Sequence, residues 1–192
     1  MLTADQVFKD FTSILPSQAI ELQRLMASDS ENSDEWTRWV KDCFERLGQQ
    51  RGLEIRRTDS IRGESEFLFD LCWIRNSQDG YGMELVLECE WGEYLSDFRK
   101  LLHAKAPVKV LVFAWRRSEE KLAEIKNWID RSQFKLPEEQ YLIINLPDSC
   151  DVRDPVRLTF TGDIFSSQGH RRPLPETFVP LTGKAAAEFR RA

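Results

Sequence analysis

Three carboxylates on two alternating segments are the residues in this chain best placed to do chemistry. Asp70 falls in the stretch Glu66 to Arg75, and Glu88 and Glu90 fall in the stretch Met83 to Trp91. Between them, Asn76-Ser-Gln-Asp-Gly-Tyr-Gly82 is turn chemistry of the loop-hairpin kind. Pairing Arg75 with Met83 across that turn puts Asp70 opposite Glu88, with Glu90 on the same face opposite Leu68. Carboxylates at a cross-strand distance of about 5 Å repel unless a cation lies among them. A hard divalent ion such as Mg²⁺ or Mn²⁺ takes oxygen ligands and meets that need; it also activates water and neutralises a phosphate. The same pattern has a plainer reading, a hairpin with one wet face and ordinary solvated acids.

The hairpin needs neighbours to hold it. Trp36, Trp39, Val40, Cys43, Phe44 and Leu47 recur at helical spacing behind Asp34 as N-cap, and Gly48 or Gly52 stops that helix. Leu53 to Arg57 is a short strand. After the hairpin come a helix from Ser96 to about Lys105, an apolar strand from Val108 to Trp115 and a helix from Glu119 to about Ser132. A further strand runs from Gln140 to Leu146 and ends at Pro147. The order α-β-β-β-α-β-α-β predicts a mixed α/β sheet with helices on both sides. Residues 1–33 read as a helical extension and linker, 34–162 as the α/β domain and 163–192 as a loosely wrapped tail. Val156 to Thr161 is expected to add an edge strand.

Composition sets bounds. A chain of 192 residues with 31% charged residues and a net charge of -5 does not bind nucleic acid by bulk charge. A local basic patch or a bridging metal remains open to it. Arg99, Lys100, Lys105, Lys109, Arg116 and Arg117, with Arg153, Arg157, Arg171, Arg172, Arg190 and Arg191, are the candidates for phosphate contacts; solvated surface charge is the rival account. The four cysteines include no CxxC pair, which argues against zinc and for reduced thiols in a cytoplasmic protein. Cys89 lies on the face opposite Glu88 and reads as a small core hydrophobe. Trp36, Trp39 and Trp128 sit on helical stripes and read as core, while Trp91 either packs or lines a pocket mouth. No apolar run reaches the roughly 20 residues of a membrane helix. With no GxGxxG, P-loop or GxSxG and only two histidines, most nucleophilic hydrolases are set aside.

Phe69-Asp70, then Glu88-Cys89-Glu90 on the next strand, with Leu87-Glu-Cys-Glu-Trp-Gly92, Asp97-Phe-Arg-Lys-Leu-Leu102 and Lys109-Val-Leu-Val-Phe113 behind them, resemble the PD-(D/E)XK nuclease superfamily, in particular its small bacterial members. The resemblance spans about residues 34–146. It implies a restriction-endonuclease-like fold, Asp70 and Glu88 as ligands of Mg²⁺ or Mn²⁺, and Glu35 as a helix acid directed at the metal. Glu90 stands where the family carries its lysine, so Glu90 would position water or a second ion. Some members take that lysine from the following helix. Lys105 falls on the inward stripe of Phe98, Leu101 and Leu102 and is the candidate, whereas Lys100 is expected to face away. The activity implied is metal-dependent hydrolysis of DNA, associated with bacterial restriction, repair or phage defence. The alternatives are an inactive member of the same fold, serving a protein partner or a second copy of the chain, and an unrelated α/β interaction module.

Overall fold

A computed structural model describes residues 1–27, 33–58, 68–77, 80–90, 94–113, 119–147 and 157–180. Thr3 caps the first helix, α1 (Ala4–Ile14), by accepting the Gln6 amide, and Val7, Phe8 and Phe11 turn its apolar face inward. A 3₁₀ turn with Pro16 in its first turn leads into α2 (Ala19–Ala27). Then follow α3 (Ser33–Gln50), β1 (Glu54–Arg57), β2 (Leu71–Ser77), β3 (Gly80–Glu90), α4 (Tyr94–His103), β4 (Val108–Phe113), α5 (Glu119–Arg131) and β5 (Gln140–Asn145). From α3 onward this is the expected order. The chain continues through β6 (Arg157–Ser166), β7 (Arg171–Pro173) and β8 (Thr177–Pro180).

The strands form one mixed sheet in the order β1-β2-β3-β4-β5-β6-β7, with β8 also on β6. β1, β2 and β3 are antiparallel, β3, β4 and β5 are parallel, and β6 returns antiparallel. Strict alternation divides the side chains between two cores. Leu71, Trp73, Leu85, Leu87 and Cys89 pack with α1, α2 and α3. Cys72, Ile74, Val86, Leu111 and Phe113 pack with α4 and α5. The sheet is thus flanked by helices on both faces, and Glu88 takes the parity of Val86, toward α4.

Three expectations need revision. Residues 1–27 are no appendage: Phe11 stacks on Phe44 of α3 (centroids 5.5 Å apart) and belongs to the same core as the sheet. The expected boundary at 162 falls inside β6, which is an internal strand between β5 and β7 and no edge. The hairpin holds the expected register from Leu71↔Leu87 to Trp73↔Leu85, but then Ile74 pairs with Met83 and Arg75 with Gly82. A bulge at Glu84 absorbs the extra residue, and its carboxylate is met by the Arg75 guanidinium at 2.6 Å. Because the bulge lies on the turn side, the pairing nearest the acids is unaffected. Among the described residues no helix is long and apolar enough to cross a membrane.

Candidate acid–lysine site

Asp70 immediately precedes β2, and its backbone carbonyl still accepts the Thr58 amide at 3.0 Å, extending the β1–β2 ladder. Its side chain turns toward the end of β3. Oδ2 accepts the Cys89 amide at 2.9 Å and Oδ1 pairs with Lys41 Nζ of α3 at 2.7 Å. Lys41 itself donates to the Thr58 carbonyl at 3.0 Å and is nearly buried, with 11% of its side chain exposed. Asp70 is therefore held from two sides by groups that are themselves held.

Glu88 projects from β3 under α4 and is 2% exposed. Lys100 Nζ stands 3.6 Å from its Oε1, inside ion-pairing range but beyond a hydrogen bond, and Oε1 is buried without a hydrogen-bond partner. Lys100 is committed more closely to Asp97, one turn earlier on α4, at 2.6 Å. Burial first, and then the negative charge of Asp70, push the Glu88 carboxyl up to about 8; Lys100 offsets part of this, and Asp97 adds to it. The Lys100 ammonium moves up in turn, its hydrogen bond to Asp97 and the charges of Glu88, Asp97 and Asp70 outweighing its own desolvation.

The sequence expectations divide here. Asp70 and Glu88 do come within electrostatic reach of each other. Glu90 is half-buried at the end of β3, in register with Phe113, and its charge acts on Cys89; the charges acting on Glu88 come from Asp70, Lys100 and Asp97. Glu35 is not brought to the pair. It binds Arg24 at 2.9 Å and lines a separate groove of about 670 Å³ between α2 and α3. Lys105 is exposed and lies beyond α4, because the helix stops at His103 ahead of Pro107. Lys100, expected to face away, is the lysine at the site. Asp97 and Lys41 complete the group and were not singled out in the sequence. One signal was available: Asp97 lies three residues after Tyr94 and one before Phe98, so an acid shares the apolar face of α4 with Lys100 on its flank.

The expected basic surface is not assembled from the described residues. Lys109 is fully buried and pairs with Glu139 at 2.7 Å, Arg99 lies over the Trp128 ring, Arg171 pairs with Asp163 and Glu119, and Arg172 with Asp5. Arg157 covers the Phe178 ring. Arg116, Arg117, Arg153, Arg190, Arg191, Trp91 and Cys150 lie outside the described residues. Cys43, Cys72 and Cys89 are buried free thiols, and desolvation pushes Cys72 up to about 12 and Cys89 higher still, so they are protonated at neutral pH.

Comparison with protein-family models, with curated proteins and with solved structures finds no match to this chain. Among the described residues no three His, Cys, Asp or Glu side chains are arranged to hold a metal ion by themselves. Two carboxylates are nevertheless the usual protein share of a Mg²⁺ site, since that ion keeps waters and takes substrate phosphate oxygens as its other ligands. Glu88 Oε1 is buried without a hydrogen bond, as a carboxylate oxygen left open to such a ligand would be.

Proposed function

We propose that the chain is a divalent-metal-dependent phosphodiesterase acting on nucleic acid, with DNA the first substrate to test. The observation that carries this is the buried Glu88 carboxylate, with an oxygen that accepts no hydrogen bond, within electrostatic reach of Asp70 and facing Lys100. The element order from α3 to β5 supports it, being that of the PD-(D/E)XK core, with the acids near the carboxyl end of parallel strand β3 where α/β sheets bind ligands.

On this reading Asp70 and Glu88 hold Mg²⁺ or Mn²⁺. Such an ion supplies charge neutralisation at the phosphate and a water of lowered pKa. Lys100, tethered by Asp97 and 41% exposed, takes the place of the lysine that Glu90 has displaced and presents its ammonium to the phosphate. Cys89 contributes only its amide, which orients Asp70.

The test is cleavage of supercoiled plasmid and of single-stranded DNA with Mn²⁺ at pH 8. Cutting is expected to fall at least a hundredfold in Asp70→Asn, Glu88→Gln and Lys100→Met, each retaining a cooperative melt. A chain that binds Mn²⁺ but leaves DNA and RNA intact has lost catalysis and works as a binding subunit. The ion pairs Lys41–Asp70 and Lys100–Asp97, which already balance two of the acids, favour that second reading.

A further inference from the structure

The two lysines at the site do not stand in equivalent places. Lys100 is half-exposed and leans on Asp97, leaving Glu88 Oε1 without a hydrogen bond. Lys41 is nearly enclosed and sits directly on Asp70 Oδ1, on the carboxylate that an incoming cation needs as its second ligand. Asp70 does not depend on Lys41 for its orientation, because the Cys89 amide already fixes Oδ2. Nor does Lys41 depend only on Asp70, because the Thr58 carbonyl holds the same ammonium at 3.0 Å. Thr58 is tied back to the segment it faces through its amide to Asp70 O and its hydroxyl to Phe69 O. The ammonium thus has a second anchor to keep when the carboxylate is taken from it.

We propose that Lys41 is a resident counter-ion: it occupies Asp70 in the metal-free protein and yields that carboxylate to a divalent ion, so that metal binding is an exchange of cations on Asp70. This rests on the metal-binding reading above and adds a residue of α3 to it. A positive charge a few ångströms from the ion lowers its affinity. The exchange therefore makes the ion bind more weakly than two carboxylates alone would hold it. A purely orienting Lys41 has the opposite consequence, since its loss would loosen Asp70 and weaken the ion.

The experiment is a calorimetric titration of Mn²⁺ into the full chain at pH 8, wild type beside Lys41→Met and Lys41→Arg. Methionine fills the stem's volume without the charge, and arginine keeps the charge. The methionine variant is expected to bind Mn²⁺ about tenfold more tightly than wild type, with the arginine variant near wild type. Its melting temperature is expected to be lower than wild type without metal and to be restored by saturating Mn²⁺. Equal or weaker binding by Lys41→Met, with wild type binding, overturns the exchange and leaves the metal reading standing. No binding by either chain overturns both. Should Lys41→Met fail to fold, the wild-type Lys41 side-chain ¹⁵N–¹H signal decides: saturating Mg²⁺ is expected to shift it and speed its exchange with water, and an unchanged signal refutes the proposal.

Discussion

Glu88 is a carboxylate whose neutral form the fold favours, and this fixes the sign of its effect on stability. Its folded value, about 8, lies above its ordinary one of 4.5, so between those values the native state binds more protons than the unfolded chain. Its contribution to stability is whole below about pH 4.5 and is lost as pH rises toward 8. Glu88→Gln keeps the shape and removes the titration. The variant is expected to match wild type near pH 5 and to exceed it by on the order of a few kcal/mol at pH 8.5 without metal; thermal melts at stepped pH read this directly. A constant difference across the range would mean that Glu88 is ionised throughout. At the other end of the sheet, Lys109 and Glu139 form a dry ion pair joined by the Tyr141 hydroxyl and the Leu136 amide. Every polar atom of that Glu139 carboxylate has a partner, which marks it as structural. Lys109→Met alone leaves the acid buried and uncompensated and is expected to cost about 3–5 kcal/mol. Adding Glu139→Gln should recover most of the loss, and denaturant unfolding of the two variants checks the difference.

At the level of elements, the site depends on how α3 seats against β1 and β2. Trp73 donates its indole N–H to the Phe44 carbonyl at 3.0 Å, and Gly48 lets the helix approach closely enough for that bond. A Cβ at Gly48 would stand 2.6 Å from Trp73 Nε1. Gly48→Ala gains about 1 kcal/mol of helix propensity. It is nevertheless expected to destabilise the fold by about 1–2 kcal/mol net, because the indole and Ile55 must move. An unchanged or higher midpoint in urea would show that α3 has slack. The elements that bring Asp70 and Glu88 together were legible in the sequence because a period of two is local: Leu85, Leu87 and Cys89 against Val86 and Glu88 can be read without knowing any partner. What was not legible depended on contacts from afar. Glu35 looked like a helix acid aimed at the site, but Arg24 of α2 claims it. Lys41 was not singled out, because its partner Asp70 is distant in sequence and meets it only once β2 is set beside α3. Lys100 and Lys105 exchanged roles because α4 ends at His103, two residues before Lys105, while Lys100 lies one turn after Asp97 within the helix and reaches back to its carboxylate.

For the whole molecule the charge balance is the governing constraint. At a net charge of -5, and with the described basic side chains largely held by acids or rings, the chain has little long-range attraction for a polyanion. On the proposed reading, nucleic acid is held at the site through the ion. Binding of a single-stranded oligonucleotide at pH 8, followed by fluorescence anisotropy with Ca²⁺ to suppress cleavage, is expected to weaken at least tenfold when EDTA is added. Undiminished binding would locate the nucleic-acid surface elsewhere, or show that it needs no metal. The central claim is that Asp70 and Glu88 together hold one divalent ion, and Mn²⁺ calorimetry at pH 8 tests it most directly. The expected result is one ion per chain, with affinity reduced at least tenfold in both Asp70→Asn and Glu88→Gln. A flat titration with an unmoved melting temperature, or binding that neither substitution alters, would contradict it.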